Sequence, residues 1–269
     1  SGCWGLTEPG IGSDAVGVKT TSVDKGDHYL LNGSKTFITN APIADYMIVI
    51  TRQVDESGKS LAEGIEGGTA FVLERGMDGL STGKPFKKMG HRASPTGEIF
   101  MENVKVPKEN VLGKPGRAFF DMKHSLDVER VIFSGLGIGM SRFCLESASK
   151  YALSRKQFGK PIAAFQMIQD HIANMTTQYD VAEKYLHYVT EQMVAGIDVN
   201  KTGAIAKYFI GKAVNTITDL AIQCHGGYGY MEEYQVERYD RDAKLFEIGA
   251  GTNEIQKLII AKQTLKEFS

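Results

Sequence analysis

The sequence predicts an α+β protein made of two successive blocks: a β-barrel-like antiparallel β domain over residues 1–116, then an antiparallel four-helix bundle over residues 117–269. Up to about residue 116, short β-branched and aromatic runs are cut at close intervals by Gly, Pro, Asn and Asp. After Gly113-Lys114-Pro115-Gly116 apolar residues instead recur every three or four positions. At 269 residues, 42% hydrophobic and 23% charged, the chain can supply both blocks with a core.

In the first block, residues 28–31 and 35–39 flank Asn32-Gly33, two residues that tolerate positive φ, and this predicts a hairpin. Residues 46–51, 69–74 and 98–106 are further strands, and 63–68 reads as a mobile loop. In the second block, periodicity predicts helices near 117–153, 165–195, 201–224 and 251–266. Ala206, Phe209, Ile210, Ala213, Ile217 and Leu220 form one apolar stripe on the third. A β block followed by a bundle favours a cofactor cleft where the two meet.

A formal net charge of -1 gives no general attraction to nucleic acid or anionic membrane. Cys3, Cys144 and Cys224 are too few and too scattered for a disulfide framework or a closed metal site, and a reducing compartment fits them. No apolar run approaches the roughly 20 residues that span a bilayer, and the start carries no basic segment followed by an apolar one. An intracellular protein is expected.

Five segments carry chemistry. Leu6-Thr7-Glu8-Pro9-Gly10-Ile11-Gly12-Ser13-Asp14 is a glycine-bearing loop in which main-chain donors can approach a ligand. In Lys35-Thr36-Phe37-Ile38-Thr39-Asn40, a period of two puts Phe37 and Thr39 on one face. Arg155-Lys156-Gln157-Phe158-Gly159-Lys160-Pro161 joins two helices and offers a guanidinium suited to phosphate. Gln223-Cys224-His225-Gly226-Gly227-Tyr228-Gly229-Tyr230 follows a helix rather than a strand, which rejects a Rossmann fingerprint and makes His225 a helix-end residue. Glu129 lies near the start of a helix beginning at about residue 126, with Ile132, Phe133 and Leu136 at i+3, i+4 and i+7. Desolvation there should raise its pKa while the helix N-terminus opposes the rise; Asp127 is placed to cap the same helix.

Together with Arg241-Asp242-Ala243-Lys244 and the run from Lys244 to Gln256, these segments resemble, in order, the signatures of the acyl-CoA dehydrogenase family. The resemblance implies an FAD-dependent α,β-dehydrogenation of an acyl-CoA thioester, with electrons passed to an electron-transfer flavoprotein and the chain working as a homodimer or homotetramer. Trp4, Leu6, Thr7, Phe37, Ile38 and Thr39 would meet the flavin, Phe37 standing where the family usually has Trp. Arg155, Gln157, Phe158 and Gln166 would serve the FAD pyrophosphate, commonly that of a neighbouring subunit. Gln223, Gly226 and Gly227 would take the adenine side, and Thr252 and Glu254 would also contact the cofactor.

Many relatives keep the catalytic glutamate where this chain has Ala250. Glu129 matches the base of a minority branch that includes isovaleryl-CoA dehydrogenase. Ser13, Leu126, Asp127, Arg130, Gly249 and Ala250 would meet the substrate, Ala250 through its amide. Gly249, in place of a bulky aromatic, implies room for a short or branched acyl chain. The family carries a helical domain ahead of the Thr-Glu-Pro segment that is missing here, so this chain is expected to be a fragment or to rely on a separately supplied domain. An acyl-CoA oxidase, and a non-catalytic family member acting as an assembly partner, are the rival readings.

Overall fold

The computed structural model describes residues 1–269, in two compact units: residues 1–88 with 92–124, and residues 89–91 with 125–269. The first unit is one sheet of eight strands: β1 (Gly2–Gly5), β2 (Thr21–Asp24), β3 (His28–Thr39), β4 (Tyr46–Val54), β5 (Gly68–Glu74), β6 (Leu80–Thr82), β7 (Thr96–Pro107) and β8 (Val111–Leu112). Their order is β6-β7-β3-β2-β4-β5-β8, with β1 beside β4. Pairing is antiparallel except for β1–β4 and β2–β4, and no pairing joins β6 to β8, so the sheet does not close into a barrel. Tyr29, Leu31, Met47, Val49, Phe71, Leu73, Ile99 and Val104 form its core.

Asn32-Gly33 is not a hairpin turn. Residues 28–39 run on as the single strand β3, paired with β2 on one side and β7 on the other. Gly33, at φ 142, sits at a register shift, where a Cβ would come within 2.6 Å of Thr20 Oγ1. The glycine clears a close approach of Thr20, and the turn lies before β3, at Gly26 with φ 92. A second irregularity between Lys35 and Ile38 leaves Phe37 at φ 59 and interrupts the alternation at Lys35 and Thr36, both buried, beyond which Phe37 and Thr39 are exposed and Ile38 is buried, as a period of two requires. Residues 63–68, read as a loop, contain a 3₁₀ turn, Gly64–Gly67, with Gly67 buried.

The second unit is helical: α1 (Ala118–Ser154), of which residues from Ser125 belong here, α2 (Gln166–Val194), α3 (Asn200–His225), α4 (Val236–Ala243), α5 (Leu245–Ile248) and α6 (Asn253–Lys266). The four long helices stand where the apolar period puts them. Their cores include Cys144, Met175, Ala213, Ile217 and Ala221 in one cluster, and Val131, Leu186, Val189, Ala206 and Ile210 in another. The short hairpin β9 (Lys156–Gln157) and β10 (Lys160–Pro161) links α1 to α2; Phe158 and Gly159 form its two-residue turn at φ 50 and 79. Of the glycines at 135, 137 and 139, only Gly137 lies against neighbours, since a Cβ there would be 3.0 Å from Ile210.

Candidate active site

Because α1 begins at Ala118, Glu129 lies about three turns inside the helix rather than in its first turn. The helix N-terminus therefore does not oppose the rise in its pKa. Glu129 is half-buried, one α1 face placing it in an apolar cup of about 320 Å³ with Ser125, Val128, Ile132, Phe133 and Leu136. Burial pushes its carboxyl above the usual carboxylate range, and the charge of Arg130 only partly offsets that. Phe133 stacks on Phe246 of α5 with centroids 4.4 Å apart, fixing one wall of the cup.

Asp127 is an interior helical residue and caps nothing. It is 6% exposed, its Oδ1 accepting from Arg130 Nη1 at 2.5 Å and from Asn200 Nδ2 at 3.0 Å, while Asn200 Oδ1 accepts from Gln263 Nε2 at 2.8 Å. Asp127 and Arg130 thus face inward and tie α1 to α3 and α6, away from the cup face. Leu126 is half-buried and does not line the cup.

The bend Gly249–Thr252 joins α5 to α6. A Cβ at 249 would sit 3.5 Å from Phe133 Cζ, so a larger residue there would cover the aromatic wall. Ala250 and Gly251 adopt φ 53 and 81, and the Ala250 amide donates to nothing in the chain. Gln256 Nε2 holds the bend by donating to the carbonyls of Gly251 at 2.9 Å and Ala250 at 3.3 Å. Thr252 caps α6, its Oγ1 accepting from Ile255 N, and Glu254 is exposed in the first turn.

A second hollow, of about 530 Å³, is lined by Arg155, Gln157, Gln223, Gly226 and Gly227 together with Tyr151, Tyr228 and His225. Here α3 ends, and beyond Gly226 and Gly227 the space is open on the side where a Cβ would project. His225 is 3% exposed; its Nδ1 donates to Ala221 O at 2.7 Å and its ring stacks on Tyr151. A guanidinium, two side-chain amides and two bare glycines around one hollow suit the phosphate and adenine half of a dinucleotide. Phe158, 93% exposed at the hairpin tip, and Gln166, exposed at the head of α2, stand outside this lining.

In the sheet unit, Trp4, opposite Ile48 of β4, and the Leu6–Thr7 segment are half-buried, and Thr7 lies against β3: Thr36 N donates to Thr7 O at 2.9 Å. Phe37 and Thr39 are exposed, whereas Ile38 is buried in the core and offers only its backbone. Ser13 is exposed. A buried pair holds this arrangement: Lys35 Nζ donates to Glu8 Oε1 at 2.8 Å and to Leu6 O at 3.2 Å, and the Glu8 carboxylate accepts from Lys19 N and Thr20 N. Burial pushes the Glu8 carboxyl up, but those donors outweigh it and hold it below its usual value. Burial pushes the Lys35 ammonium down to about 8.

The residues that sequence reasoning passed over are this pair, the Phe133–Phe246 wall, and Lys207 with Asn253. A signal existed for Lys207, which precedes the stripe residue Ile210 by three and so falls on the buried helix face.

Residues 3–104 match the family model for the acyl-CoA dehydrogenase middle domain, and residues 119–265 that for the acyl-CoA dehydrogenase C-terminal domain. The chain is 42% identical, over 97% of its length and 68% of the relative's, to the caffeyl-CoA reductase-Etf complex subunit CarC of Acetobacterium woodii. It is 39% identical to the mitochondrial isovaleryl-CoA dehydrogenase of Oryza sativa, over 99% of this chain and 64% of that one. The structure superposes on butyryl-CoA dehydrogenase from Megasphaera elsdenii with a TM-score of 0.93 at 39% identity, covering 98% of this chain and 68% of that one. By domain models, sequence and fold alike, the chain belongs to the acyl-CoA dehydrogenase family of enzymes.

Proposed function

We propose that this protein is an FAD-dependent acyl-CoA dehydrogenase in which Glu129 removes the α-proton of a short or branched acyl thioester and an electron-transfer flavoprotein takes the electrons. One observation carries the reading: a half-buried carboxylate with no hydrogen-bond or ion-pair partner, its pKa raised by burial, at the mouth of an apolar cup. A base of this kind is partly desolvated, and its raised pKa brings it nearer the working range of a general base. The free Ala250 amide is a main-chain donor available to a thioester oxygen that gains charge as the proton leaves. Gly249 keeps the Phe133 wall uncovered, which favours a branched acyl group over a close-fitting straight one.

The donor set around Arg155 fits FAD: Arg155 and Gln157 would hold the pyrophosphate, and Gln223, Gly226 and Gly227 the adenine side. Trp4, Leu6, Thr7, Phe37, Thr39 and the Ile38 backbone would meet the ring, with Thr252 and Glu254 contributing from the head of α6. Bound FAD would supply the acceptor for the β-hydride, which no side chain of this chain can provide. We further infer that the Arg155 hollow serves the cofactor of a second copy, so that the enzyme works as a homo-oligomer. Partnership with an electron-transfer flavoprotein draws support from the relative named as part of an Etf complex.

Replacing Glu129 by Gln tests the assignment. In FAD-loaded enzyme with an artificial acceptor, turnover should fall by roughly 10²–10⁴-fold while flavin content stays at the wild-type level. Normal turnover in that variant would overturn the reading. Oxygen consumption without any acceptor would instead mark an oxidase, and failure to take up FAD a non-catalytic chain.

A further inference from the structure

Lys207 of α3 is 2% exposed, and its ammonium makes one hydrogen bond, Nζ to Asn253 Oδ1 at 3.2 Å. No carboxylate lies within ion-pair distance of it. The charged groups that face it are Glu254 at the head of α6, Glu247 in α5 and Arg130 in α1; burial outweighs them and pushes the ammonium down to about 8. A cation buried on one neutral hydrogen bond is costly, and an apolar side chain of the same length would avoid that cost. Its position shows what the charge does. Asn253 is the first residue of α6 and follows directly on the Gly249–Thr252 bend. The bend itself is strained, with Ala250 at φ 53, and such backbone persists only where its surroundings over-determine it.

Two holds converge there. Gln256, wholly buried, fastens the carbonyls of Ala250 and Gly251 from one side. Lys207 fastens Asn253 from the other, and the space is tight: a Cβ on Gly211, one turn along α3, would stand 3.2 Å from the same Asn253 Oδ1. Asn253 Nδ2 and Gln256 Oε1 find no partner, so neither amide has a rival hold within the chain. Without Lys207, Asn253 would lose its only side-chain bond.

We propose that Lys207 is a positioning residue of the active site: its buried ammonium, acting through Asn253 Oδ1, fixes the start of α6 and thereby aims the Ala250 amide at the thioester oxygen. The inference rests on the proposed dehydrogenase reading, in which that amide meets the substrate. Lys207 touches neither substrate nor base.

The test is Lys207→Met in the FAD-loaded enzyme, beside wild type and Glu129→Gln. Because the amide acts on charge that develops in the transition state, kcat should fall about 10- to 100-fold while KM for the acyl-CoA moves by less than about threefold. In wild type, activity should decline as pH rises through about 8, where Lys207 loses its proton, and this alkaline limb should vanish in the variant. Hydrogen exchange of the cofactor-free protein should show faster exchange at residues 249–253. Lys207→Arg, which keeps a charged donor, should recover part of kcat.

A Lys207→Met enzyme with kcat within twofold of wild type and an unchanged alkaline limb overturns the proposal. Should that variant fail to fold, Asn253→Ala cuts the same link, and wild-type kcat there overturns it equally. Loss of turnover in Glu129→Gln with normal Lys207→Met sinks this inference alone. Full turnover in Glu129→Gln sinks the reading beneath it.

Discussion

A carboxylate set among Val128, Ile132, Phe133 and Leu136 loses much of its water, and Glu129 has no donor in the chain to replace it. The consequence for stability has a definite sign. A carboxyl whose folded pKa is raised binds its proton more tightly folded than unfolded, so its stabilising contribution is full below the ordinary carboxylate pKa. It is lost as pH rises through the folded value. As pH rises the wild-type protein loses this contribution, whereas Glu129→Gln, which does not titrate, keeps it. Thermal melts should therefore show the Gln variant gaining on wild type as pH rises, with the gap closing toward pH 4. A variant that loses ground to wild type as pH rises would mean Glu129 has a partner. Glu129 was legible in the sequence because an acidic residue followed by apolar ones at i+3, i+4 and i+7 stands out. Lys207 was legible only as a residue on the buried face of α3, not by what its ammonium reaches, and Lys35 gave no local sign that it pairs with Glu8.

Elements were legible in proportion to their length and periodicity. The four long helices repeat their apolar spacing over many turns, so helix ends were the only uncertain part. The short α4 and α5 carry too few turns for any period to register. Asn32-Gly33 misled for a physical reason: local turn chemistry permits a hairpin, but pairing of β3 with both β2 and β7 keeps the chain extended, and glycine is needed there to clear Thr20. The loop that brings Thr7 against Thr36 depends on the Glu8–Lys35 pair, which no local pattern signals. Lys35→Met should leave Glu8 buried without its cation and cost about 3–5 kcal/mol in urea unfolding. Lys35→Met combined with Glu8→Leu should cost clearly less, since no unpaired charge then remains. Equal losses in the single and double variants would show that the pair contributes packing rather than charge compensation.

At the scale of the whole molecule, Glu129 and the Arg155 hollow both belong to the helical unit, yet the proposed reading gives them different cofactors: Glu129 works beside the flavin of its own chain, Arg155 on that of a neighbour. This makes a prediction that does not depend on any single variant. Arg155→Glu sets a negative charge where a pyrophosphate would lie and should by itself strip the protein of FAD and of activity. Glu129→Gln alone should be inactive with FAD bound. Co-expressed in equal amounts, the two chains form hybrid pairs in half of all cases. In a hybrid, one site carries both lesions and the other carries neither, because the intact glutamate of one chain meets the intact arginine of its partner. About a quarter of wild-type activity should return, as expected for statistical mixing in a two-fold assembly. If the Arg155 hollow instead serves its own chain, every site in every combination carries one lesion and the mixture stays as inactive as its parts. Size-exclusion chromatography of the mixed preparation, with FAD counted per chain, separates that outcome from a simple failure to assemble.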